Sequence, residues 1–290
     1  MNNQKSITIA LIGEPNAGKS TLINALVGQK ISIVTHKVQT TRHKIRGVVN
    51  EGDTQLVFID TPGLFMPKRT LEKAIVRAAT SSFEEADIVC MLFDINRLIS
   101  NHHKDALEFI KNVKKPLFAI INKIDLVDKD KLLPLIKSLA DECIFQEIIP
   151  LSAIKNSGIK RITNFFLSQA TEGPWQFIDE EITDQSVRSI CEEITREQAF
   201  IQLHQELPYS LKVETEKWEE GELTLSIHQT IFVTKDSQKI IALGKGGAKI
   251  KEIGRRARME IAKLIGKRIS LYLYIKVRED WIERDFSKYV

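Results

Sequence analysis

Only three cysteines occur in the 290 residues, Cys90, Cys143 and Cys191, each alone among apolar neighbours. An odd count without Cys-x-x-Cys spacing excludes a disulfide framework and a cysteine-based zinc site, and it fits reduced, buried thiols in a cytosolic protein. Long apolar runs are also missing, since none approaches the roughly 20 residues of a bilayer-spanning helix. The apolar stretch in MNNQKSITIALIG follows a single lysine, lacks a small-residue cleavage site and leads directly into a glycine loop. It reads as a first buried strand rather than a signal peptide. Internal repeats and low-complexity segments are lacking. What remains is a soluble globular composition, 43% hydrophobic and 28% charged, in a chain long enough for two domains.

The net charge of +4 is unevenly spread. Between Lys245 and Arg268 nine lysines and arginines are opposed only by Glu252 and Glu260, a local charge of +7 that leaves the rest of the chain at −3. A basic segment in an otherwise acidic chain points to a face for a polyanion.

Short apolar runs (ITIALIG, KIRGVVN, TQLVFID, DIVCMLFD, PLFAIIN, EIIPLS) alternate with helical segments around Leu22–Val27, Leu71–Glu85, Lys104–Asn112, Lys129–Leu139 and Ile159–Ser168. This predicts an α/β domain over residues 1–170, with a mostly parallel sheet covered on both faces. KIRGVVN and TQLVFID are joined only by Glu51, Gly52 and Asp53, a hairpin-length link that requires antiparallel pairing and makes the sheet mixed. The stretch 171–186, with Gly173-Pro174 and several acids, reads as a linker. Residues 187–290 follow as a second, α+β domain: a helix Val187–Gln205, a strand Ser210–Lys217, a strand LTLSIHQTIFV, QKIIAL leading into GKGG, a long basic helix, and a final strand ISLYLYIKV.

Four motifs follow apolar runs in the first domain. GEPNAGKS (Gly13, Glu14, Pro15, Asn16, Ala17, Gly18, Lys19, Ser20), continued by Thr21, fits G-x-x-x-x-G-K-[ST] between a strand and a helix. Its glycines let backbone N–H groups curl around phosphates, the helix N-terminus adds positive potential, Lys19 reaches the outer phosphates and the Ser20 hydroxyl can ligate Mg²⁺. In DTPG (Asp60, Thr61, Pro62, Gly63) the carboxylate can hold Mg²⁺ through water, and the Gly63 N–H lies where a γ-phosphate would be. In NKID (Asn122, Lys123, Ile124, Asp125) the carboxylate can accept from the ring N–H and amine of guanine, a pattern adenine lacks. Ser152 and Ala153, after EIIPL, would complete the base pocket. All four fall at the ends of apolar runs, hence on the one edge of a parallel sheet where ligands bind.

This ordered set resembles the P-loop GTPases over residues 7–168. The resemblance implies GTP/GDP and Mg²⁺ as ligands, with a switch threonine on the metal in QTTRH; the family pattern favours Thr41, and Thr40 is the alternative. Where many small GTPases carry a water-orienting glutamine this chain has Leu64, followed by Phe65. It therefore resembles the branch with a hydrophobic residue there, a weak intrinsic GTPase that depends on something else to become fast. Asn16 resembles the asparagine of GTPases that hold K⁺ beside the phosphates; otherwise it stabilises the turn.

The second glycine-lysine loop, Gly244, Lys245, Gly246 and Gly247, resembles the G-X-X-G loop of KH domains, which clamps a single-stranded nucleic-acid backbone. No Ser or Thr follows Lys245 in the Walker position, which argues against a second nucleotide site. With the basic helix behind it, the loop nominates Gly244 to Gly247, Lys249, Lys251 and Arg255 for RNA. A P-loop GTPase domain followed by a KH domain of prokaryotic topology resembles the Era-like family of bacterial GTPases. That resemblance implies binding near the 3′ end of 16S ribosomal RNA, a role in assembling the small ribosomal subunit, and a monomer in the cytoplasm with peripheral association with the inner membrane.

Overall fold

The computed structural model describes residues 4–35, 44–61, 83–100, 107–108, 110–111, 113–142, 144–203 and 211–279. The chain divides into two compact units, Met1–Asp184 and Gln185–Val290.

In the first unit, β1 (Lys5–Gly13), β2 (Ile45–Glu51), β3 (Thr54–Asp60), β4 (Ile88–Asp94), β5 (Leu117–Asn122) and β6 (Ile148–Pro150) line up in the order β2-β3-β1-β4-β5-β6, and β7 (Thr171–Glu172) pairs with the start of β1. The β2–β3 pair is antiparallel, as their short connection demands, and the path from β3 to β6 is parallel. Helices whose bounds fall within the described residues include α1 (Lys19–Val27), α2 (Ile95–Ile99), α3 (Lys129–Asp141) and α4 (Ile159–Gln169).

Alternate side chains of the central strands feed two cores, as the period-2 pleat dictates. Ile9 and Leu11 join Leu22, Phe58 and Phe166 on one face, where the Phe58 and Phe166 rings meet edge-on at 5.4 Å. Ala10 and Ile12 join Met91, Phe93 and Ile121 on the other. Burial of each such large side chain contributes roughly 1.5–3 kcal/mol. The parallel register brings Leu11 beside Asp60, Gly13 beside Leu92, and Asp94 beside Asn122. The strand ends that carry the motifs are thereby stacked along one edge.

The stretch 171–186 does not hang free. Gln55, fully buried on β3, accepts from the backbone N–H groups of Gln176 (2.8 Å) and Phe177 (3.0 Å) and donates to the Phe177 carbonyl (2.9 Å). Further along, Val48 N–H donates to the Ile182 carbonyl (2.9 Å), and Gly47 forms an antiparallel bridge with Thr183. The expected helix Leu71–Glu85 falls outside the described residues except for the helical turn Phe83 to Glu85. Of Lys104–Asn112, Leu107, Glu108 and Ile110 are helical and Lys111 is a turn, and Cys143 also falls outside the described residues.

The second unit begins with α5 (Val187–Gln202), capped by the Ser186 hydroxyl, which accepts from Ser189 N–H at 3.1 Å. Strands β8 (Leu211–Glu220) and β9 (Thr224–Val233) follow, then α6 (Asp236–Leu243), a tight turn Lys245–Gly247, α7 (Ala248–Ile265) and β10 (Arg268–Val277). The sheet order is β10-β9-β8, with β8 antiparallel and β10 parallel to the central β9. A parallel return needs a crossover, and the basic helix provides it. Ile253, Ala257 and Ile261 of α7, at helical spacing, are its buried residues.

Candidate functional site

The loop after β1 is held by its own lysine. Lys19 Nζ donates to the carbonyls of Gly13 (2.9 Å) and Glu14 (3.0 Å). Only 6% of Lys19 is exposed, and burial pulls its ammonium from 10.5 down to about 8, against the opposing pull of Asp60 and Glu14. Glycine is required twice here. A Cβ at Gly13 (φ 149°) would meet the Leu92 carbonyl oxygen at 2.5 Å, and one at Gly18 (φ 102°) would meet Asn122 Nδ2 at 2.2 Å. Asn16 also has a left-handed backbone, φ 64°. Consecutive turns of this kind leave backbone N–H groups facing into a concavity suited to an anion. Pro15 and Ala17 complete the loop, and α1 opens at Lys19, so Ser20 and Thr21 lie in its first turn.

At the end of β3, Asp60 Oδ2 accepts from the hydroxyls of Ser20 (2.8 Å) and Ser32 (2.9 Å). A carboxylate and a hydroxyl at this separation in a buried corner are hard oxygen donors that fit Mg²⁺. The Thr61 hydroxyl is engaged elsewhere, donating to the Leu11 carbonyl at 2.7 Å.

The NKID segment braces the loop. Asn122 Nδ2 donates to the Ala17 carbonyl (2.9 Å), while its Oδ1 accepts from the N–H groups of Lys123 (2.8 Å) and Ala153 (3.0 Å). Lys123 adopts φ 66° and spans from the Asn16 carbonyl (2.7 Å) to Asp94 Oδ2 (2.6 Å). The Ser152 hydroxyl donates to Asp125 Oδ1 at 2.5 Å and fixes an otherwise exposed carboxylate. The structure thus brings Gly13 to Thr21, Asp60, Thr61, Asn122, Lys123, Asp125, Ser152 and Ala153 to one sheet edge. Thr40, Thr41, Pro62, Gly63, Leu64 and Phe65 lie outside the described residues.

Several residues of this edge carry no motif. Asn24, inside α1, accepts from the N–H groups of Ile31 (2.9 Å) and Ser32 (3.0 Å) and so seats Ser32 against Asp60. Asp94 holds Lys123, and Arg97 Nη1 pairs with Glu14 Oε1 at 2.6 Å. A polar side chain at the end of each apolar strand is the sequence signal that points to Asp94; Asn24 and Arg97 have none.

In the second unit the GKGG turn links α6 to α7. Gly244 (φ 70°) ends α6 through its N–H on the Ile240 carbonyl (3.0 Å), and a Cβ there would strike Lys249 Cγ at 2.8 Å. Gly247 N–H returns to the Gly244 carbonyl at 3.1 Å, whereas Gly246 (φ 61°) faces open space. Lys245 and Lys251 are exposed, and Lys249 is half-buried. Arg255 is shared with an acid: Glu252 binds both it (2.8 Å) and Arg256 (2.6 Å), and the two guanidiniums hold the Glu252 carboxyl at about 2. A groove of about 360 Å³ runs between α7 and β10, lined by Lys251, Arg255, Arg258, Tyr272 and Tyr274 among others. Arg258 and the two tyrosines had no motif to mark them.

Residues 8–123 match a family model described as 50S ribosome-binding GTPase, and residues 206–282 match one described as KH domain. The chain is 46% identical to GTPase Era of Mesorhizobium japonicum over 274 residues, covering 94% of this chain and 88% of that one. GTPase Era of Rhizobium meliloti is also 46% identical, with the same coverage. A crystal structure of Era in complex with MgGDPNP and nucleotides 1506–1542 of 16S ribosomal RNA superimposes with a TM-score of 0.90 at 34% identity, covering 99% of this chain and 98% of that one. A variant of Aquifex aeolicus Era bound to GDP·AlF4⁻ gives 0.91 at 35% identity, with the same coverage.

Proposed function

The chain belongs to the Era family of GTPases, and from that membership we propose that it binds GTP and GDP with Mg²⁺ at the β1–β6 edge, hydrolyses GTP to GDP and phosphate, and holds 16S ribosomal RNA near its 3′ end during assembly of the small ribosomal subunit. The observation that carries the nucleotide reading is the convergence of Lys19, Ser20, Asp60, Asn122 and the Ser152-held Asp125 on one edge.

The backbone of Gly13 to Gly18 and the N-terminus of α1 receive the phosphates, and Lys19 exchanges its two loop carbonyls for phosphate oxygens. Ser20, with Thr41 or Thr40, and Asp60 would hold Mg²⁺, Asp60 acting through water. When bound, the metal would supply positive charge against the negative charge that develops on the phosphates in transfer. Gly63 offers its N–H to the γ-phosphate. Asp125 accepts from guanine, with Asn122 and Ala153 shaping the pocket. Asn16 is assigned to K⁺, and exchange of potassium for sodium is expected to slow turnover; equal rates in both salts remove that assignment.

Among the described residues no helix is long and apolar enough to cross a membrane. The placement we propose is a cytoplasmic monomer with peripheral contact to the inner membrane, for which the exposed cations of α7 are the support; flotation with anionic vesicles and sedimentation equilibrium test it. The central test is turnover of GTP with and without small-subunit particles, alongside titration with the RNA. Absence of hydrolysis in both conditions overturns the reading.

A further inference from the structure

Beyond the GKGG loop and the groove between α7 and β10, the second unit carries an aromatic surface on the face of its sheet opposite the helices. Along β10, Ile269, Leu271, Leu273 and Ile275 pack into the cores beneath α5 and α7, so the intervening Tyr272 and Tyr274 point the other way. Both are about half exposed, at 49% and 47%. On β9, His228, the register partner of Tyr272, stacks on that ring with centroids 4.5 Å apart at 22°, and lies 6.3 Å from Tyr274 at 13°. Three nearly parallel rings form a stepped plate.

The plate is continuous with the cationic groove, because β10 is the edge strand among the described residues and both tyrosines also line that groove beside Lys251, Arg255 and Arg258. On the plate side Lys276 pairs with Glu216 (2.7 Å) and Arg278 with Glu214 (3.2 Å). The groove presents cations to phosphates, and the plate presents ring faces to bases. We infer that Tyr272, Tyr274 and His228 form a base-stacking platform for unpaired nucleotides that leave the groove and turn over the β10 edge, extending the RNA footprint of this unit. Every base has a π-face, so the platform adds affinity with little sequence preference.

This inference rests on the proposed RNA reading, and the experiment separates the two. Wild type, Tyr272→Ala, Tyr274→Ala and the ring-keeping Tyr272→Phe are titrated with a short single-stranded oligoribonucleotide, about four nucleotides, and a long one of about twelve, at two salt concentrations. Circular dichroism and GTP turnover serve as folding controls. The alanine variants are expected to lose roughly five- to a hundredfold in affinity for the long strand and markedly less for the short one, with an unchanged salt slope, and equal losses for both strands overturn the platform in favour of a groove contact. Tyr272→Phe is expected to bind as wild type, and ultraviolet crosslinks from the long strand are expected on the two tyrosines. Unchanged affinity for the long strand in both alanine variants overturns the platform alone. Loss of self-association in those variants with RNA binding intact assigns the face to a second copy of the chain and also overturns it. Failure of wild type to bind either strand overturns both readings.

Discussion

Asn122 Nδ2 lies 2.9 Å from the Ala17 carbonyl, and the same nitrogen fills the space into which a Cβ on Gly18 would project. The end of β5 and the phosphate loop are therefore one rigid piece. Asn122→Ala leaves the Ala17 carbonyl and the Ala153 N–H short of partners in a buried corner, a loss of roughly 1–3 kcal/mol for each group left unsatisfied. Urea denaturation should show this destabilisation, and nucleotide affinity should fall about tenfold or more, even for nucleoside triphosphates of other bases. A variant that weakens only guanine binding would refute the bracing role.

Asp125→Asn is expected to weaken GTP and admit xanthosine triphosphate, whose ring presents an oxygen where guanine has its amine. A loss of roughly a hundredfold or more for GTP is expected where one carboxylate accepts both the ring N–H and the amine of the base. Competition binding with the two nucleotides decides it, and equal GTP affinity in mutant and wild type would remove Asp125 from the base pocket.

Lys19, drawn down to about 8 by burial, makes nucleotide affinity depend on pH in one direction. Below that value the ammonium is charged with or without phosphates, and this group contributes no slope. Above it the free protein loses the proton, the polyphosphate must restore it, and affinity should fall toward about tenfold per pH unit. The same depression disfavours the folded state at low pH, and that contribution fades as pH rises from about 8 toward 10.5. Calorimetry somewhat above the Lys19 value, in buffers of different ionisation enthalpy, should reveal proton uptake on binding; none would contradict the buried lysine.

Changing Lys245 and Gly246 both to Asp puts two negative charges where RNA phosphates are to approach. Gly246 faces open space, so the fold should survive, although φ 61° strains a non-glycine residue there. RNA affinity is expected to drop strongly while GTP turnover stays at its basal rate. Neutralising Lys249 and Lys251 should instead flatten the salt dependence, by about one unit of slope for each phosphate no longer neutralised. Full RNA affinity in the double aspartate variant would place the RNA elsewhere on the chain.

The sheet and the edge that gathers the motifs were legible because each motif ends an apolar run, and parallel register then brings the ends together without further information. The hairpin link of Glu51 to Asp53 disclosed the antiparallel pair in the same way. The bracing around that edge was not legible. Asn24 to Ser32, Asp94 to Lys123 and Arg97 to Glu14 depend on strand order and loop path, which leave no local period. Arg255 was nominated for RNA from its place in the basic segment, because the sequence alone does not say which arginine Glu252 will hold, and it holds two. Tyr272 and Tyr274 were visible as alternation in ISLYLYIKV, but only the sheet order shows that their strand is at the edge.

Among the described residues β2 is the last strand on its side of the large sheet, with a row of backbone groups that any passing extended chain could pair with. The stretch from Trp175 to Asp184 occupies that row from within the same molecule, through Val48 on Ile182, Gly47 on Thr183 and the Asn50 amide on the Asp179 carbonyl (2.9 Å). It works as a built-in guard against sticking to other copies. A GTPase fragment cut at residue 170 should fold and then aggregate through β2, whereas one carried to residue 184 should stay dispersed. The reach of the domain is set by where its edge is sealed, well beyond the end of the last strand-helix repeat.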